Sequence, residues 1–188
     1  MTDPTQPQGL NAGTPIGITS TSNGAKQLAS TQAGVYGAQL ATSANGGKLY
    51  LDPGGYTVSG TGGADVGNFQ GQVTAPPAIA WTNAASASSV NRSQGVTVTW
   101  SGGDPNGSVI ISGSSTLSQG GGALFTCTAP PSAGTFTVPA TVTMALPASS
   151  SGALTVMGSS APASFTATGI DVGLAVAASG ASQPAAFQ

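Results

Sequence analysis

The sequence predicts an all-β protein, a β-sandwich built as two small β lobes. Three observations carry that expectation. Short runs of alternating apolar and polar residues recur about every ten residues, the period-2 signature of half-buried strands. Gly, Pro, Asn and Asp separate the runs, with 29 Gly and 13 Pro in 188 residues. That glycine load is unfavourable in a helix interior, and no stretch sustains a 3.6-residue period. Only residues 24–41 have the character of a helical turn.

Residues 1–14, rich in Pro, Gln, Thr and Gly, read as a flexible N-terminal arm. Residues 15–75 form the first lobe. Ile16 and Ile18 alternate with Gly17 and Thr19, and Val35-Tyr36 follows. Leu49–Leu51 and Tyr56–Val58 flank Asp52-Pro53-Gly54-Gly55, a turn sequence, and read as a hairpin. Pro76-Pro77 marks the boundary, because prolines remove donors and force extension.

Residues 76–188 form the second lobe, where the alternation strengthens. Val96, Val98 and Trp100 make one strand, and Val109-Ile110-Ile111 another. Phe125 with Cys127, then Phe136 with Val138, follow after glycine- and proline-rich turns. Ala140, Val142, Met144 and Leu146 alternate with smaller or polar residues, as do Leu154 and Val156. Phe165 and Ala167 precede a closing strand in which Ile170, Val172, Leu174 and Val176 form one apolar face. Two echoes connect the lobes. Gly55-Tyr56-Thr57-Val58 parallels Thr135-Phe136-Thr137-Val138, and Asp65-Val66-Gly67 parallels Asp171-Val172-Gly173.

Charge narrows the function classes. Charged residues are 4% of the chain and the net charge is −2, against roughly 25% charged residues in an ordinary domain. Histidine is absent, so no Ser-His-Asp triad, Cys-His pair or imidazole metal site can form. No Gly-x-Ser-x-Gly or Ser-x-x-Lys motif is present, and the sequence reads as a non-enzyme without a cofactor or a metal. The scattered aspartates sit mostly beside Gly or Pro and read as turn formers. One carboxylate in each Asp-Val-Gly is thin for calcium, which takes six to eight oxygens. Three cations cannot track a phosphate backbone, so nucleic acid is excluded as a partner. No run reaches the roughly 20 apolar residues of a membrane helix, and residues 1–8 carry no secretory leader pattern.

Several motifs carry a family resemblance. They are Val98-Thr99-Trp100-Ser101-Gly102-Gly103-Asp104-Pro105-Asn106-Gly107, Phe125-Thr126-Cys127-Thr128-Ala129-Pro130 and Thr135-Phe136-Thr137-Val138-Pro139. Phe165-Thr166-Ala167 and Gly169-Ile170-Asp171-Val172-Gly173 close the pattern, and Leu49–Gly60 leads into it. Together they resemble the C-terminal Ig-like β module of large secreted and surface proteins of acidobacterial type. The resemblance implies an extracellular, cell-surface location and an Ig-like fold, and it implies no chemistry.

A chain so nearly uncharged lacks the repulsion that keeps proteins apart. The expected function is therefore a structural subunit of an extracellular surface assembly or filament, with copies of itself as partner. Strand edges would carry the contact, through Ile16 and Ile18 or through Ile170, Val172, Leu174 and Val176. The alternative is an adhesin or carbohydrate-binding module that meets surface glycans on Trp81 and Tyr56. Trp100, which ends an alternating strand, is expected in the core, and so is Cys127. An ice-binding face would need regularly spaced Thr over several strands. Asn91-Arg92-Ser93 and Asn106-Gly107-Ser108 match the N-glycosylation triplet.

Overall fold

The structure, a computed structural model, describes residues 8–40 and 50–188. It is all-β and sandwich-like. The strands are β1 (Ile16–Ser20), β2 (Gly24–Gln32), β3 (Val35–Gly37), β4 (Gly54–Gly60), β5 (Phe69–Ala75), β6 (Ala80–Trp81), β7 (Ser89–Val90) and β8 (Val96–Ser101). They continue as β9 (Ser108–Thr116), β10 (Gly122–Ala129), β11 (Thr135–Val138), β12 (Ser151–Ser159), β13 (Ala163–Phe165), β14 (Gly173–Ala175), β15 (Ala178–Pro184) and β16 (Ala186–Phe187). A short α-helix, α1, spans Ala140–Thr143, and single 3-10 turns span Ala84–Ser88 and Pro131–Ala133.

The chain forms two compact units. The first runs to Ala75 and also takes in Pro162–Val176; the second comprises Pro76–Ala161 and Ala177–Gln188. Residues 162–176, which the sequence places with the second lobe, thus belong to the first. Phe165 accounts for this. Its ring stacks on Phe69 with centroids 5.4 Å apart. It fits there because Gly71 and Gly173 lack a Cβ, which would come within 2.8 Å and 2.6 Å of the ring.

In the first unit an antiparallel five-stranded sheet has the order β3-β2-β1-β4-β5. Residues 24–37 form a β2–β3 hairpin where the sequence hinted at a helical turn. The expected hairpin around Asp52-Pro53 is also replaced. Leu49 lies outside the described residues, as do residues 1–7 of the arm, and Tyr50 and Leu51 are not in a strand. Instead β4 pairs with β1 and β5, setting Ile18 beside Val58 and Tyr56 beside Val73. Tyr50 inserts as a side chain: its hydroxyl donates to the Gly24 carbonyl at 2.6 Å and its ring meets Tyr56 edge-on. The small core centres on Ala12, Ile16 and Val66.

The second unit is a sandwich of a four-stranded sheet, β10-β9-β12-β15, and a three-stranded sheet, β11-β8-β6. Strands β9 and β10 form a hairpin, β11 crosses to the other sheet, and β12 returns, which is the crossing pattern of Ig-like sandwiches. Period-2 alternation explains the interior. Val109, Ile111, Phe125, Leu154 and Val156 face inward from one sheet; Val98, Trp100 and Val138 face inward from the other. Trp100 is core, as expected, and its indole N–H donates to the Pro131 carbonyl at 2.9 Å.

Two expectations for residues 76–188 fail. Residues 140–146 are not a strand, because Ala140–Thr143 coils into α1. Thr143 and Leu146, three apart, thereby both point inward, which a strand of alternating faces does not allow. The Thr143 hydroxyl donates to the Arg92 carbonyl at 2.7 Å. Nor do Ile170–Val176 form the last strand. Only Gly173–Ala175 is extended, and β15 and β16 follow. β16 runs parallel to β7 and buries Phe187 to 1% exposure.

Candidate functional site

Strand β10 is one of the two edges of the four-stranded sheet, β15 being the other. It pairs with β9 on one side and, among the described residues, has no strand on the other. Natural edge strands are usually blunted with Lys, Pro, bulges or a covering element. Eight residues long, β10 reads Gly-Ala-Leu-Phe-Thr-Cys-Thr-Ala, without a charge or a proline. Its pleat turns Phe125 and Ala129 inward and leaves Leu124, Thr126 and Thr128 exposed. Leu124 is 76% exposed, the most exposed large apolar side chain among the described residues.

Register extends this edge into an uncharged face. Thr126 lies opposite Ser112, Ser112 opposite Thr155, and Thr155 opposite Ser182, so one row of hydroxyls crosses the sheet. The Thr155 hydroxyl donates to Ser182 Oγ at 3.0 Å. The neighbouring row is Leu124, Ser114, Ala153 and Pro184. A shallow hollow of about 200 Å³ lies among Ser112, Ser114, Leu124, Ala153 and Thr155. The opposite sheet also carries hydroxyls outward. Thr97 Oγ1 contacts Thr137 Oγ1 at 2.8 Å, and Thr82 Oγ1 contacts Thr99 Oγ1 at 2.7 Å. Those threonines spend their hydrogen bonds on one another.

The residues expected to mediate assembly separate into two groups. Ile16 is 8% exposed and belongs to the core, and Ile18 is half-buried. Both sit on β1, which has β2 on one side and β4 on the other, so neither offers a free edge. This corrects their assignment as an edge. Ile170 is half-buried against the same core. Val172, Leu174 and Val176 are exposed, at 68, 59 and 50%. The alternation of that segment is real, but its sense is reversed: Gly173, Ala175 and Ala177 turn inward.

The ligand platform is corrected too. Tyr56 is 3% exposed, and its hydroxyl donates to the carbonyls of Asp52 at 2.8 Å and Tyr50 at 3.0 Å. Trp81 is half-buried against the sandwich core, with its indole N–H donating to Asn83 Oδ1 at 2.9 Å.

The acidic side chains organise loops. Asp104 accepts from the Asn106 N–H at 2.9 Å through one oxygen and from the Ala161 N–H at 3.0 Å through the other. Asp65 accepts from the Asn11 N–H at 2.8 Å. The Asp-Val-Gly echo has a structural counterpart, because the Gly67 N–H donates to Thr168 O, next to the second copy of the motif. Among the described residues no group of three His, Cys, Asp or Glu could hold a metal ion. Burial raises the Cys127 thiol above its ordinary pKa. Tyr50 is raised as well, by burial first and the neighbouring Tyr56 second, against a backbone hydrogen bond from Ser20. Among the described residues no helix is long and apolar enough to cross a membrane.

Comparison of the chain with protein-family models, with curated proteins and with solved structures finds no match.

Proposed function

We propose that this chain is a non-catalytic structural subunit of an extracellular surface assembly, associating with copies of itself through strand edges. One observation carries the reading. Among the described residues β10 is a long edge with a partner strand on one side only, bears no charge or proline, and displays Leu124. Such an edge is a template for pairing with another strand, since its outer N–H and C=O groups seek partners that water supplies less specifically. The net charge of −2 adds little repulsion between copies. The resemblance to secreted surface modules supports the extracellular setting. The alternative, an adhesin or glycan-binding module, rests on Trp81 and Tyr56, and the burial of Tyr56 removes half of its platform.

The test is a charged edge. Leu124 and Thr126 are exposed, so Leu124→Lys with Thr126→Lys leaves the fold intact while placing two cations where a neighbouring strand would pair. Sedimentation velocity at rising concentration should find large species in the unaltered protein and none in the double variant. Equal polymerisation of both proteins would discard β10 as the contact.

A further inference from the structure

We infer that the first unit holds a binding site for a neutral sugar, in the hollow where residues 9–14 pass the β2–β3 hairpin. The hollow belongs to the first unit and β10 to the second. The inference therefore stands or falls apart from the strand-edge reading, and it owes nothing to Trp81 or Tyr56. The hollow measures about 430 Å³ and is lined by Asn11, Thr14, Ser30 and Tyr36 among glycines. That volume lies within the roughly 300–1,000 Å³ of small-ligand sites. Residues 9–14 come this close to their neighbours because Gly34 has no Cβ to strike Gly9, and Gly63 none to strike Gly13. Hydrogen bonds then fix the wall. The Ala12 N–H donates to the Tyr36 hydroxyl at 2.8 Å, the Asn11 N–H to Asp65 Oδ2 at 2.8 Å, and the Gly13 N–H to Asn11 Oδ1 at 2.9 Å.

Unspent hydrogen-bonding capacity defines the ligand. Tyr36 accepts through its hydroxyl oxygen, which leaves its proton to give. Asn11 accepts through Oδ1, which leaves the two N–H groups of its amide. Ser30 donates to the Gln32 carbonyl at 3.2 Å and keeps its lone pairs. The Thr14 hydroxyl makes no hydrogen bond among the described residues. Donors and acceptors thus line one hollow together with an aromatic residue. A sugar matches that set, with hydroxyls that both give and accept and a C–H face that packs on a ring. Other classes match less well. No charged side chain lines the hollow, so a phosphate or carboxylate would lose water without a cation to receive it. A purely apolar ligand would strip water from these polar groups and return no hydrogen bond.

Saturation-transfer difference NMR on the full chain tests the inference, because it reads the signals of the sugar and works whether or not the protein assembles. The probes are glucose, galactose, mannose, N-acetylglucosamine, cellobiose and lactose, with glucose 6-phosphate as the charged counterpart. The expected result is saturable transfer to the C–H protons of at least one neutral probe, at millimolar affinity. Thr14→Val keeps the shape and removes one hydroxyl; Tyr36→Phe keeps the ring and removes another. Each should weaken binding roughly 3- to 10-fold, the worth of one hydrogen bond, while Trp81→Phe binds as the unaltered chain does. Circular dichroism checks folding. Should Tyr36→Phe disturb the wall at Ala12, Thr14→Val decides alone, since its hydroxyl holds nothing in the fold. Absence of transfer to every neutral probe would overturn the inference. So would tighter binding of glucose 6-phosphate than of glucose, or binding that Thr14→Val leaves unchanged.

Discussion

At the scale of single residues, the sharpest lesson concerns Val172, Leu174 and Val176. Alternation makes a strand legible, but period 2 does not say which face turns inward. Here a residue from a different strand decides: Phe165 fills the inner side, and only glycine fits beneath it at 71 and 173. No local pattern in the sequence contains that information. Gly173→Ala or Gly71→Ala should therefore destabilise the protein by about 1–3 kcal/mol, as overpacking does. Urea unfolding would measure it, and an unchanged midpoint would contradict the packing. Trp100, by contrast, was legible because it extends an uninterrupted alternating run. Cys127 offers a chemical check. Its raised pKa keeps the thiol protonated, so alkylation near neutral pH should be slow until denaturant is added. The same shift sets the response to alkali. Cys127 and Tyr50 are acids that folding keeps neutral, so their contribution to stability is intact below the ordinary thiol and phenol ranges and is lost as pH rises through them. With no histidine, denaturation midpoints should be flat across neutral pH and fall above about pH 8.5.

At the scale of elements, the strands β8, β10 and β12 were legible because apolar residues alternate there with polar ones, and β9 through its apolar run Val109-Ile110-Ile111. β2 and β15 were not. Their sequences, Gly-Ala-Lys-Gln-Leu-Ala-Ser-Thr-Gln and Ala-Ser-Gly-Ala-Ser-Gln-Pro, have almost no apolar periodicity, since both strands are largely exposed and are held by backbone ladders. β16 was missed for its brevity, yet it anchors the sandwich. Phe187 is flanked by Ser149, with backbone hydrogen bonds of 2.8 and 2.9 Å, and runs alongside Val90. Phe187→Ala should cost about 3–5 kcal/mol by loss of a buried aromatic, readable as a large fall in the urea midpoint. A midpoint within error of the unaltered protein would show β16 to be dispensable. It follows that deleting residues 170–188 cannot test assembly, because the deletion removes β14, β15 and Phe187 from the fold itself.

At the scale of the whole molecule, the boundary at Pro76-Pro77 was visible as a proline pair, whereas the return of residues 162–176 to the first unit was not. Sequence adjacency argues for keeping that segment with its neighbours; the Phe69–Phe165 stack overrides it. The ends of the excursion meet within the second unit. The Ser160 N–H donates to Ala177 O at 2.7 Å, and the Ala177 N–H donates to Ser160 Oγ at 3.1 Å. Replacing residues 162–176 with a short glycine-rich turn in a fragment beginning at Pro76 should therefore leave a sandwich that folds alone, with dispersed amide NMR signals. A collapsed spectrum would contradict the division. Because the proposed contacts are backbone ladders and apolar side chains with few charges, assembly should change little between low and high salt.

Amide hydrogen exchange across β10 at increasing protein concentration reads out whether β10 pairs with another copy. The β10 amides not bonded to β9 should exchange fast in dilute protein and become protected as concentration rises, ahead of any change in β9 or β12. Exchange at those amides that stays fast at every concentration, in a protein that sediments at 17.9 kDa throughout, would contradict that pairing.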